Sequence, residues 1–180
     1  MYREEGITAL DSDSAVNRYL AAGVRASNLS LGVPLYGRSF EDTDGLGRPF
    51  NGVGPGGARP GGGTPEPGVW LYNQLPRAGA TRLYDAVAQA AYTYDGATRE
   101  LISHDDTRSA TFKAGYVAAR GLAGAFFFEA RGDRDAASGG SLVAASGSAL
   151  ARLDNSTNNL YYPTSQYANI RSGAPSRGRA

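Results

Sequence analysis

Cysteine is absent from the 180 residues. That removes disulfides, thiolate metal ligands and a thiol nucleophile, and it leaves the redox compartment unread. Histidine occurs once, at position 104, so a zinc site would have to rest almost wholly on carboxylates, and neither a metal nor any other cofactor is expected. A dominant charge is missing as well: 18 Lys and Arg against 17 Asp and Glu leave +1. All the cations but Lys113 are arginines spread along the chain, so no nucleic-acid footprint is expected. No apolar run approaches the roughly 20 residues of a membrane span. The opening Met1, Tyr2, Arg3, Glu4 and Glu5 begin no apolar signal core. The chain as written therefore reads as soluble, with no membrane partner and no secretion signal.

What is present is enough chain for one domain with a sizeable core and a clear succession of elements. Asp11 to Ser14 offer N-caps for a helix over about 15–22, stopped at Gly23. LSLGVPLYGRSF (29–40) reads as a buried strand running out into a loop. Residues 45–68 are so rich in Gly and Pro that loop is expected throughout, and VWLYNQLP (69–76) re-enters structure. The stretch 83–95 has a helical composition, yet Tyr92, Tyr94 and the Asp95-Gly96 pair favour a hairpin whose return strand is ELISH (100–104). Asp106 is placed to cap a helix over about 107–120, ended by Gly121, and LAGAFFF (122–128) follows as an apolar strand. Helix then strand is half of an α/β repeat. A last helix is expected over about 141–152, with a tail over 154–180 whose final residues look disordered.

The chemistry-bearing residues cluster after that apolar strand, where Glu129, Asp133 and Asp135 stand as acid/base candidates at a strand end. Other patterns are weaker. Ser103, His104 and Asp105 are triad residue types, but neighbours on a strand point to opposite faces and cannot form a relay. The glycines of 45–63 lack the Gly-Lys-Ser/Thr and the following helix of a phosphate loop. Asn28 and Asn155 match the glycosylation acceptor pattern, which has meaning only in a secreted chain.

Five motifs in order, LGVPLYGRSF (31–40), NGVG (51–54), EPGVWLYNQLP (66–76), LISHDD (101–106) and GLAGAFFFEARGD (121–133), resemble the C-terminal part of glycoside hydrolase family 18 chitinases of fungal or bacterial type. The resemblance covers about residues 11–172. It implies an α/β fold, specifically part of a (β/α)8 TIM barrel, divided as barrel portion 1–40, α+β insertion domain 41–105, barrel portion 106–153 and C-terminal tail 154–180. It also implies hydrolysis of β-1,4 N-acetylglucosamine linkages, chitin or chito-oligosaccharides as partners, and an extracellular setting.

The family's catalytic acid ends a D-x-x-D-x-D-x-E motif, and these 180 residues contain none. The acidic clusters at 41–44 and 133–135 have other spacings. No catalytic residue is therefore assigned, and the chain alone is expected to be inactive. The resemblance makes four residues substrate-binding. Tyr36 and Arg38 end strand seven and reach the sugar cleft, Glu66 pairs with that arginine, and Phe128 stands where the family usually has the tryptophan floor beneath the scissile sugar. A phenyl ring stacks over less area and has no indole N–H. Glu129 takes a supporting role. Trp70, within an alternating V-W-L-Y run, reads as core. Two alternatives stay open: a non-catalytic chitin-binding remnant, or a non-functional truncated product.

Overall fold

The computed structural model describes residues 1–57, 66–150, 153, 154, 156 and 162–166. Its helices start where their caps predict. Helix α1, Ser12–Ala21, begins when the Asp11 carboxylate accepts from the Ser14 N–H at 2.8 Å, three residues earlier than the apolar pattern suggested. Helix α2, Thr107–Ala119, opens with a reciprocal box: the Ser109 N–H donates to Asp106, and the Asp106 N–H donates to the Ser109 hydroxyl. Helix α3 is Leu142–Leu150.

Two strands form a small parallel sheet. Strand β1, Ser30–Pro34, pairs with Gly124–Phe128, numbered β7 in chain order, with Ser30 opposite Gly124 and Pro34 opposite Phe128. Alternation gives each strand two faces. On one face Leu31 is buried against Val16 of α1 and against Tyr116 and Val117 of α2. On the other, Phe126 lies across Gly32, where an added Cβ would sit 2.9 Å from the ring. Phe126 and Phe128 remain 56% and 66% exposed on that side.

The expectation of one strand running into a loop over 29–40 is corrected here. The chain passes from β1 into a second strand, β2, Tyr36–Phe40, which belongs to a different sheet. The switch is made at Leu35, whose side chain is fully buried. Its N–H donates to the Phe128 carbonyl at 2.8 Å, and its carbonyl accepts from the Tyr72 N–H at 2.9 Å. One residue is thus bonded both to the tip of β7 and to the turn that follows β3.

The second sheet is antiparallel, in the order β3-β2-β6-β5-β4, with β3 Val69–Leu71, β4 Thr81–Asp85, β5 Ala90–Asp95 and β6 Glu100–His104. The expected hairpin of Tyr92 and Tyr94 with residues 100–104 is present as β5 and β6. The start of 83–95, the stretch whose helical composition competed with that reading, lies in strand β4 instead. The Asp85 carboxylate accepts from the N–H groups of Val87 and Ala88 and closes a turn, and Gln89 takes a left-handed φ of 53°, which ends any helix.

Leu35, Tyr72, Ala110 and Leu142 form one buried cluster, with Phe127 packed against it. This cluster fastens the parallel sheet, both later helices and the antiparallel sheet to one another. The tail expected over 154–180, including its disordered end, lies largely outside the described residues.

Candidate functional site

β1 and β7 run parallel and end together at Pro34 and Phe128. Carboxyl ends of parallel strands are where α/β proteins collect functional loops. Leu35 then turns the chain so that Tyr36 and Arg38, two apart on β2, share one face. β3 places Leu71 opposite Tyr36 and Val69 opposite Arg38. Glu66 lies three residues before Val69, and its carbonyl accepts the Val69 N–H at 3.0 Å. Its carboxylate reaches back over the strand to Arg38, with Nη1 to Oε1 at 2.9 Å.

Both members of that pair are about half exposed, at 51% and 46%, so its net worth to stability is only about 0–1 kcal/mol. What it supplies is orientation. Arg38 stands 5.6 Å from the centroid of the Tyr36 ring. Phe128, at the tip of β7, is joined by a cis peptide to Glu129, whose carboxylate accepts from Arg131 at 3.1 Å.

Tyr36, Arg38, Glu66, Phe128 and Glu129 line one cleft of about 120 Å³, together with Gly57, Val69 and Leu71. All four residues singled out from the sequence as substrate-binding are therefore neighbours. A larger groove of about 980 Å³ begins on the other side of Tyr36 and Arg38 and runs along the sheet past Phe40 and Leu101 toward residues 45–50 and the N-terminal segment. An exposed aromatic ring beside a fixed cation–carboxylate pair is suited to a pyranose. The ring takes the C–H face, and the polar groups take the hydroxyls.

Two of the three carboxylates read as acid/base candidates serve other purposes. Asp133 accepts from the Ser141 hydroxyl at 2.6 Å and from the Leu142 and Val143 N–H groups at 2.8 and 3.2 Å, capping α3. Burial pushes its carboxyl up, but these hydrogen bonds outweigh burial and hold it below the ordinary aspartate range. Asp135 caps the short turn at Ala136–Ser138 through the Ala137 N–H. Only Glu129 of the three faces the cleft.

Ser103, His104 and Asp105 form no relay. His104 Nδ1 lies 2.8 Å from the Asp105 carbonyl, which fixes the proton on Nδ1, while the Asp105 carboxylate accepts from Lys113 and Ser109. Among the described residues no group of three His, Asp or Glu side chains could hold a metal, and no helix is long and apolar enough to cross a membrane. Trp70 lies on the opposite face of β3 from the cleft, half-buried with the Arg77 guanidinium 4.1 Å from its ring centroid.

Sequence reasoning missed two residues that position the cleft. Leu35 carried no signal beyond its apolarity. Gly132 follows the Glu129 turn, and a Cβ there would fall 2.1 Å from the Leu35 carbonyl oxygen, so only glycine lets the segment after β7 close on the sheet junction.

By fold the protein is of the α/β class, with a cleft lined by an aromatic ring and a cation–carboxylate pair at the carboxyl ends of parallel strands. The family model described as Glycosyl hydrolases family 18 matches residues 1–133, and the chain belongs to that family. It is 44% identical over 164 residues to Endochitinase 1 of Metarhizium robertsii, which covers 91% of this chain and 37% of the relative. The chain thus spans little more than a third of that relative's length. Among solved structures, the Group IV chitinase of Ostrinia furnacalis in complex with allosamidin superposes with a TM-score of 0.72 at 25% identity, over 84% of this chain and 44% of the other. A plant class V chitinase mutant from Cycas revoluta in complex with (GlcNAc)3 gives 0.62 at 26% identity, over 77% and 38%.

Proposed function

We propose that this chain forms the sugar-binding side of a family 18 chitinase cleft. In this reading β1 and β7 are the seventh and eighth strands of a (β/α)8 barrel, and the antiparallel sheet entered at β2 is the α+β insertion between them. The cleft takes an N-acetylglucosamine unit of chitin or a chito-oligosaccharide, with Phe128 under the ring and Tyr36, Arg38 and Glu66 on the wall. The parent reaction is hydrolysis of the β-1,4 linkage, in which the substrate's own N-acetyl oxygen acts as nucleophile and a glutamate as acid. An extracellular setting goes with that substrate.

The observation that carries this reading is the meeting of an exposed Phe128 with the 2.9 Å Arg38–Glu66 pair in one cleft. The relatives named as chitinases, and a structural neighbour bound to (GlcNAc)3, support the choice of sugar. With no D-x-x-D-x-D-x-E in these residues, the reading assigns binding to this chain and leaves its catalytic acid unassigned. Calorimetric titration of chitotetraose into the chain tests it. Saturable binding that Arg38→Ala weakens several-fold is expected, with no chitobiose released; equal binding by the Arg38→Ala protein would rule the cleft out.

A further inference from the structure

A third cavity, of about 220 Å³, lies where β4 and β6 approach the loop after β3 and the segment after β7, and it shares no lining residue with the sugar cleft. Arg82 of β4 is opposite Thr93, and His104 of β6 is opposite Ala91, so through β5 both side chains leave the same face of the sheet. Across from them stands Arg134. One end of its guanidinium donates to the Leu75 carbonyl, and the group lies 4.8 Å from the Tyr72 ring centroid, which fixes its position.

The lining is unusual in what it leaves unpaired. Arg134 Nε and His104 Nε2 are buried and have no hydrogen-bond partner among the described residues. Arg82 forms no ion pair among the described residues, although it also faces the cavity. The one carboxylate in the lining, Asp106, already accepts from the Ser109 N–H as the cap of α2. Leaving a buried guanidinium donor without an acceptor is unfavourable. The ligand class that two guanidiniums answer best is a tetrahedral oxyanion, which accepts several charge-assisted hydrogen bonds at once. At roughly 30 Å³ per water, the cavity has room for such an ion and part of its hydration shell.

We propose that this cavity binds a small inorganic oxyanion, phosphate or sulfate, between Arg82 and Arg134. His104 reports on the site. Burial, with Arg82 nearby, lowers its pKa, while Asp105 and Asp106 and the Asp105 carbonyl pull the other way; the Tyr72 ring, 6.5 Å away, and the Arg134 guanidinium also face the cavity beside it. A dianion in the cavity adds a negative charge beside the ring and so favours imidazolium, which gains a second donor. By linkage, sulfate must raise the His104 pKa, and sulfate affinity must rise as pH falls through that pKa.

Because the chain has a single histidine, its imidazole Cε1–H gives one proton resonance to follow. The full chain is titrated with sodium sulfate and, separately, with phosphate, at ionic strength held constant with sodium chloride. Melting temperature alone would not decide, since both ions also stabilise proteins by exclusion from the surface. The expected result is a saturable shift of the His104 resonance, a higher His104 pKa in sulfate than in chloride, and affinity reduced about tenfold or more by Arg82→Gln. Arg82 is an exposed residue on strand β4, so this variant tests the site without disturbing the Arg134 contacts. Arg38→Ala, in the sugar cleft, should leave the sulfate response unchanged. A response equal in chloride and sulfate, or one that Arg82→Gln does not weaken, overturns the proposal and leaves the cavity to ordered water.

Discussion

Gly132→Ala adds one methyl group, and the structure predicts that it destabilises the chain about as much as a large-to-small core substitution. Gly132 does not have a left-handed φ, so an alanine in open space there would stabilise by about 0.4–1 kcal/mol through the unfolded chain. Space is what it lacks. The new Cβ would fall 2.1 Å from the Leu35 carbonyl oxygen and 3.0 Å from the Leu35 Cβ, about 0.9 Å inside the 3.0 Å that real Cβ contacts respect. Leu35 cannot move aside freely, because its N–H and carbonyl hold Phe128 and Tyr72 and its side chain is fully buried.

Relief therefore means either weakening those two hydrogen bonds, at about 1 kcal/mol each, or accepting an overpacked contact at about 1–3 kcal/mol. Either route alone comes to about 1–3 kcal/mol and both together to about 3–5 kcal/mol, a large fraction of the 5–15 kcal/mol typical of a domain. Urea unfolding followed by fluorescence of Trp70, the only tryptophan, measures it, with the slope m expected to stay constant while the midpoint falls. A change within about 0.5 kcal/mol of zero, or a gain of the size usual for an unstrained glycine, would refute the steric argument and with it the role given to Leu35 as the joint between the sheets.

Asp133→Ala removes the acceptor for three donors at the start of α3 and should destabilise the chain by about 1–2 kcal/mol. Because the native Asp133 carboxyl sits below its ordinary value, the unfolded chain takes up that proton first. The stabilisation is present near neutrality and is lost as pH falls below about 4; urea midpoints at pH 6.5 and pH 3 should therefore converge between Asp133→Ala and the parent. Lys113→Met leaves the Asp105 carboxylate, 4% exposed and 2.6 Å from the lysine, buried without its cation, at about 3–5 kcal/mol. In a double-mutant cycle, Lys113→Met with Asp105→Leu should recover most of that loss.

Much of the local structure was legible because it is set by neighbours in sequence. Asp11 and Asp106 announce their helices through caps that need only the following three residues, and Tyr92, Tyr94 and Asp95-Gly96 announce a hairpin. Strand β4 was hidden by the helical composition of 83–95. What decides it is the turn that Asp85 closes and the pairing of Tyr84 with Ala91. The split of 29–40 into two strands was not legible at all, since β1 and β2 are separated by one apolar residue and differ only in distant partners, Phe128 and Tyr72. Asp133 misled for the same reason: the helix it caps begins nine residues on. The four cleft residues were found through motif resemblance. Neither the 28-residue separation of Arg38 and Glu66 nor their residue types would have paired them.

The central claim, that Phe128 is the floor of a sugar site, has one direct test. The ring is 66% exposed and lines the cleft, so the larger indole of Phe128→Trp enters open space rather than a packed interior. Chitotetraose is titrated into the parent, Phe128→Trp and Phe128→Ala proteins, with melting temperatures recorded alongside. The tryptophan variant is expected to bind about 1 kcal/mol tighter, roughly fivefold, and to melt with the parent, while the alanine variant binds more weakly than either. A tryptophan variant that melts earlier and binds no better, as overpacking of a core position by about 1–3 kcal/mol would produce, would contradict it.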